Sequence, residues 1–384
     1  MMTERVRRLR QESLDAKPAI STERAELITA FYRAGDGRHS PPMMRALAFR
    51  HLAEHKAVWV GDGDLIVGEK GPSPKATPTY PELCCHTLAD LDILDTRENI
   101  RFAVSPEARA VYEREIIPFW RGRSMRDHLF QAMTEDWKAA YGGGVFTEFM
   151  EQRAPGHTVL DDKIYRRGFE DVIADIRHNL AVLDFLSDPL AYAKGQELAA
   201  MLVCSEAVIR FARRHAERAL ELASGERDAP RRDELLRIAE VCTRVPARAP
   251  RDFWEAIQAY WFVHLGVTTE LNTWDAFSPG RLDQHLLPFY RKGLAEGTLT
   301  PAQAEELLHC LWIKFNNQPA PPKVGVTAAE SGTYTDFAQI GVGGLTPDGG
   351  DGVNEVTYLL LDVVEEMRLL QPSASVQVSK RNPD

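Results

Sequence analysis

Past residue 320 the chain reads AQIGVGG, then NEVTYLLLDVVEEMRLL, then SASVQVSK. The outer two pieces are short, apolar or alternating, and bounded by Gly, Pro or Asp, which is how strands read. The middle piece steps through Val356, Leu359, Leu360, Val363, Val364 and Met367 at helical spacing. Strands separated by a helical connection make this end of the chain an α/β unit, and KVGVT just ahead reads as a further strand. Only Arg381-Asn382-Pro383-Asp384 follow the last strand, so its edge has no partner in the sequence and reads as an interruption.

Upstream, helical periodicity dominates. In SPEARAVYEREIIPFW, Ser105 is placed as an N-cap, Pro106 at the first helical position and Glu107 in the first turn. LTPAQAEELLHCLWIKF carries Thr300 and Gln303 as a capping box around Pro301. One long stretch, GDGDLIVGEKGPSPKATPTYPEL, holds Pro72, Pro74, Pro78 and Pro81, too many for a helix or a central strand, although its opening DLIVGE is β-like. The expected organisation is therefore residues 1–250 mostly helical and 251–384 helices plus strands.

With 384 residues, 44% of them hydrophobic and 27% charged, the chain can bury a substantial core. The 46 basic and 56 acidic residues leave a net charge of −10, and the basic ones are scattered. That argues against nucleic acid or an anionic membrane as the main partner. No apolar run approaches the roughly 20 residues that span a bilayer. The opening MMTERVRRLRQESLDAK lacks the apolar core of a signal peptide and reads as an amphipathic first helix, so a cytoplasmic location is expected. Five scattered cysteines imply reduced thiols. Cys84-Cys85-His86 has no second ligand pair at zinc-like spacing, and no metal site is expected. Cys204-Ser205-Glu206 lies in an apolar helix and reads as packing, while His215 and His264 suggest no chemistry.

Three islands are polar where a core pattern calls for apolar residues. The first, FTEFMEQRAPGHTV, breaks at Pro155-Gly156 and should present His157 on a loop beside Phe149, either to meet a substrate hydroxyl or merely to cap backbone carbonyls. The second is TWDAFSPGRLDQHL, where Asp275 sits between two aromatics. Desolvation there raises a carboxyl unless a hydroxyl or cation satisfies it, so Asp275 either accepts from a substrate or pairs with Arg281. Asp283 or Glu270 could equally claim that arginine. The third, NNQPAPPKVGVTAAESGTYTDF, offers Ser331 and neighbouring N–H groups as a carboxylate cradle and Asp336 as a partner for an ammonium group, or else is an ordinary polar turn.

GDLIVGEKGPSP, ATPTYPELCCHT, EIIPFW, FTEFMEQRAPGHTV, WFVHLGVTTELNTWDAFSPGRLDQHL and LWIKFNNQPAPPKVG occur in this order along the chain. Together they resemble the N-terminal part of a glycyl radical enzyme of the pyruvate formate-lyase-like family, and within it a dehydratase acting on hydroxyproline. The resemblance implies a helix-rich α/β fold, the N-terminal half of a ten-stranded β/α barrel, with the C-terminal glycyl radical domain absent from this chain. It implies elimination of water to a pyrroline carboxylate, with another eliminase activity on a diol, choline or a sulfonate, or a non-catalytic split-gene subunit, as alternatives. His157 and Asp275 resemble the pair that meets the substrate hydroxyl, Phe149 a pocket wall, and Ser331 with the backbone at Phe337 the carboxylate cradle; Asp336 is assigned to the ammonium group on charge.

The resemblance also implies a glycyl radical installed by a radical SAM iron-sulfur activating enzyme, a homodimer at full length, and a small-molecule substrate. The family's Gly-Cys-x-Glu and Arg-Val-x-Gly-Tyr loops do not occur in this sequence. The chain by itself is therefore expected to bind substrate without catalysing its dehydration.

Overall fold

The computed structural model describes residues 2–35, 37–146, 157–271, 277–320, 322–325, 328 and 338–382, with the backbone alone at 157 and 277. The elements used below are, in chain order, α1 (Glu4–Asp15), β1 (Ala19–Ser21), α2 (Glu23–Ala34), α3 (Pro41–His55), β2 (Ala76–Pro78), α4 (Leu88–Thr96) and α5 (Pro106–Val111). They continue with β3 (His157–Thr158), α6 (Ala191–Gly225), α7 (Ala229–Arg244), α8 (Phe253–Glu270), β4 (Phe277–Ser278) and α9 (Leu282–Glu296). Last come α10 (Pro301–Asn316), β5 (Gln339–Gly343), α11 (Glu355–Met367) and β6 (Ser373–Gln377).

The helix ends follow their local chemistry. The Thr300 hydroxyl accepts the Gln303 N–H at 3.2 Å and the Gln303 side chain accepts the Thr300 N–H at 2.9 Å, closing the capping box that starts α10. Ser105 Oγ accepts the Ala108 N–H at 3.1 Å, so α5 starts where its Ser-Pro pair requires. Its continuation widens into a π turn over Tyr112–Ile116, just ahead of Pro118, which has no N–H for the carbonyl four residues back. α8 is buried on every side, with Tyr260, Trp261 and Phe262 fully inaccessible, which makes it the central helix of the main core. α6 packs on α3 and α7 through small residues, Ala212, Ala216, Ala219 and Ala223 among them.

All three strand pairs are parallel: β1 with β2, β3 with β4, and β5 with β6. A parallel bridge between Arg281 and Gly341 ties the β4 end to β5. β5, α11 and β6 form the β-α-β unit read from the sequence, and α11 buries Val356, Leu360, Val363 and Met367. Among the described residues β6 pairs only with β5, and Val376 is 53% exposed.

Two strand expectations are corrected. DLIVGE is buried but makes no ladder; side chains satisfy its backbone instead. Gln258 accepts the Val67 N–H at 2.9 Å and donates to its carbonyl at 3.0 Å, while Trp254 and Trp261 donate to the Leu65 and Gly68 carbonyls, both at 2.9 Å. Fixed indole and amide groups on α8 do the work of a neighbouring strand, so an apolar run acquires burial without β pairing. Lys323–Gly325 of KVGVT likewise form no strand, and Val326 and Thr327 lie outside the described residues.

A buried ionic cluster locks this irregular stretch to α10. Lys314 Nζ donates to Asp64 at 2.8 Å and to Glu69 at 2.9 Å, and Asn317 donates to Glu69 at 3.1 Å. Asn316 donates to Ser13 on α1 at 2.8 Å. Burial opposes the Lys314 charge, yet the two carboxylates beside it hold its ammonium above the usual lysine range. Burial also raises the Glu69 carboxyl.

Candidate active site

Three neighbouring parallel strands each begin at, or two residues after, one of the polar islands in the sequence. His157 opens β3 in register with Phe277, the first residue of β4 and two positions beyond Asp275 in the sequence. β5 begins at Gln339, two positions beyond Phe337. The Val159 N–H donates to the Ser278 carbonyl at 3.0 Å, and the Gln339 N–H donates to the Ser278 hydroxyl at 3.2 Å. Parallel strands bonded side by side begin at the same edge, so these three strand starts lie together.

His157 thus belongs to a strand, correcting the expectation of a loop: its backbone is in register with Phe277 on β4, although a Pro-Gly break precedes it. The His157 side chain, Phe149, Asp275, Ser331, Asp336 and Phe337 lie outside the described residues. Arg281 reaches the Gly343 carbonyl at 3.3 Å. Of the acids that could have claimed it, Glu270 pairs with Arg45, and Asp283 accepts from the Gly343 N–H at 2.7 Å and the Thr357 hydroxyl at 2.6 Å.

The Ser-Pro-Gly turn after β4 is tight for a steric reason. Gly280 has φ +74°, and a Cβ there would stand 2.7 Å from the Thr158 side chain and 2.8 Å from that of Asp161. A side chain at this position would push β3 away from β4, so only glycine lets the two strands approach.

Residues at and around α4 hold part of the third island, through contacts that spacing did not reveal. The third island is anchored here at successive points. His86 meets the Pro322 carbonyl at 3.1 Å, Asp90 accepts the Gly325 N–H at 2.9 Å, and Arg97 donates to the Ala328 carbonyl at 2.6 Å. Burial lowers the His86 pKa, and a carbonyl only accepts, so the neutral ring carries its proton on Nε2. Arg24 on α2 pairs with Glu82, and the Arg24 guanidinium also sits 3.9 Å over the Tyr80 ring and donates to the Thr269 carbonyl at 2.7 Å. The last turn of α8, which leads towards Asp275, is thereby tied to α2 and to the proline-rich stretch.

Burial also keeps thiols protonated. It pushes Cys85 and Cys310 up to about 12 and Cys204 up to about 11, and raises Cys242 as well.

The pyruvate formate lyase-like family matches residues 2–384. The chain is 55% identical over 380 residues to trans-4-hydroxy-L-proline dehydratase of Clostridioides difficile, covering 99% of this chain and 48% of that protein. It is 34% identical to isethionate sulfite-lyase of Nitratidesulfovibrio vulgaris, covering 97% of this chain and 46% of the other. In structure it is similar to hydroxyproline dehydratase from Clostridioides difficile with trans-4-hydroxy-L-proline bound, at a TM-score of 0.96 and 55% identity over 100% of this chain and 48% of that one. It is also similar to the glycerol-bound B12-independent glycerol dehydratase from Clostridium butyricum, at a TM-score of 0.92 and 31% identity, again covering 100% and 48%. The chain spans about half the length of the curated relatives it matches, and the half it resembles is the N-terminal one, helix-rich and α/β. With matched residues running from one end to the other and a fold shared with solved relatives, this chain belongs to the pyruvate formate lyase-like family.

Proposed function

We propose that this chain is the substrate-binding part of a glycyl radical dehydratase that removes water from trans-4-hydroxy-L-proline to give a pyrroline carboxylate. The observation that supports the reading is the common edge at which three strands begin, each next in sequence to one of the islands. The 55% identity to the hydroxyproline dehydratase, against 34% to the isethionate lyase, favours hydroxyproline over a sulfonate. In such an enzyme a glycyl radical, installed by a radical SAM activating enzyme, supplies hydrogen-atom abstraction. The residues of this chain bind, orient and handle protons. His157 donates to the departing hydroxyl and Asp275 holds it from the other side, so the oxygen leaves as water. Phe149 walls the pocket, Ser331 and the Phe337 backbone receive the substrate carboxylate, and Asp336 faces its ammonium. Residues 1–250 act as the mostly helical support and 251–384 bring helices with strands; the complete protein is a cytoplasmic homodimer.

The reading is tested by calorimetric titration of the chain with trans-4-hydroxy-L-proline and with L-proline. The hydroxylated ligand should bind at least tenfold more tightly, and H157A or D275N should erase that preference. Equal affinity for both ligands would sink it. In a protein completed to the length of its relatives and activated, the same substitutions should lower kcat by 10² or more.

A further inference from the structure

α10 and α11 bring together Glu305, His309 and Glu366. One ligand atom from each lies within 4.8 Å of the other two. Glu305 and His309 are four residues apart, hence on the same face of α10, and Glu366 faces them from α11. His309 is 1% exposed, yet its Nε2 has no hydrogen-bond partner among the described residues. It stands 3.5 Å from a Glu366 oxygen. That separation is too long for a hydrogen bond. It is close to the roughly 3.4 Å between two ligand atoms that each sit about 2.1 Å from one tetrahedral metal ion.

We propose that Glu305, His309 and Glu366 bind one divalent first-row transition ion, with zinc as the representative member. Carboxylate and imidazole together are ligand types that such ions accept. The buried orphan nitrogen gains the partner that a lone pair requires. Imidazole in the set selects against calcium and magnesium, which take oxygen ligands. Three protein ligands leave one position for water, and the Glu366 side chain is 29% exposed, which gives the ion a route in. The ion would cross-link α10 to α11, the helix between β5 and β6, and so bear on the stability of that unit. The i, i+4 pair is visible in AEELLHC, but the third ligand comes from 57 positions beyond His309, which no local spacing reveals.

The test is titration of the full chain, stripped with a chelator and dialysed, with Zn²⁺ by calorimetry and with Co²⁺ by visible absorption. The expected result is one equivalent bound, with cobalt ligand-field bands near 500–650 nm and an upward shift of Tm on adding zinc. E366Q, on a partly exposed side chain, and H309A should each weaken binding at least tenfold. A C84S/C85S variant should bind as the parent does. Zinc affinity that is unchanged in E366Q, or lost in C84S/C85S, overturns the assignment. If H309A does not fold, E366Q decides alone.

Discussion

The backbone N–H of Gln339 ends on the hydroxyl of Ser278, 3.2 Å away, so a strand that begins after the third polar island is fastened to one that begins after the second. Ser278 also accepts, through its carbonyl, the Val159 N–H of the strand opened by His157. One small residue therefore spans three strand starts. S278A keeps the carbonyl bond and deletes the hydroxyl, and we expect a loss of at most about 1 kcal/mol in urea unfolding, since Gln339 is exposed and water can replace the hydroxyl. The more telling readout is hydroxyproline affinity, which should fall by a larger factor than the stability change implies.

G280A should be far more costly. A Cβ at φ +74° is strained in itself and meets Thr158 and Asp161 within 2.8 Å, and both strain and collision act on the β3–β4 pair. We expect a loss of about 2 kcal/mol or more, read as a lowered midpoint in denaturant with an unchanged slope. A variant as stable as the parent would show that the two strands part without cost.

K314M removes the cation from between Asp64 and Glu69 and leaves both acids buried beside an apolar chain. Breaking one side of such a cluster costs about 3–5 kcal/mol. Adding D64N and E69Q to K314M should return part of that loss in the same assay, because the damage lies in the uncompensated charges rather than in the missing contact.

His215 predicts an acid limb. Burial drives its pKa down from 6.5 to about 3, and its one hydrogen bond, from Nδ1 to the Phe211 carbonyl at 3.0 Å, does not offset this. The folded state binds its proton less readily than the unfolded state, so stability is complete above pH 6.5 and is lost as the pH falls from 6.5 towards 3. Between pH 6.5 and 5 the loss is about 2 kcal/mol. H215L should remove that slope, measured as the difference between variant and parent in urea titrations at the two pH values.

Much of this was legible along the chain because capping and periodicity are local. Thr300, Pro301 and Gln303 announced α10 to the residue, and the steps from Val356 to Met367 announced α11. The fate of DLIVGE was not, because apolar content signals burial and says nothing about whether a strand or a set of side chains meets the backbone; here Gln258, Trp254 and Trp261 do. Lys314 and its acids escaped for a related reason: Asp64 and Glu69 sit 250 and 245 positions away, and only the fold makes them neighbours. The islands around Asp275 and Ser331 stood out as polar intrusions in apolar runs, whereas their tethers, such as Arg97 to the Ala328 carbonyl, connect positions 231 apart.

The dependence of DLIVGE on α8 has a consequence in time. Leu65 waits for Trp254, 189 positions later, and Gly68 for Trp261, 193 positions later. At synthesis rates of about 5–20 residues per second, that apolar run trails from the ribosome for roughly 10–40 s before these donors exist. During that interval it is the natural target for a chaperone that grips extended apolar chain.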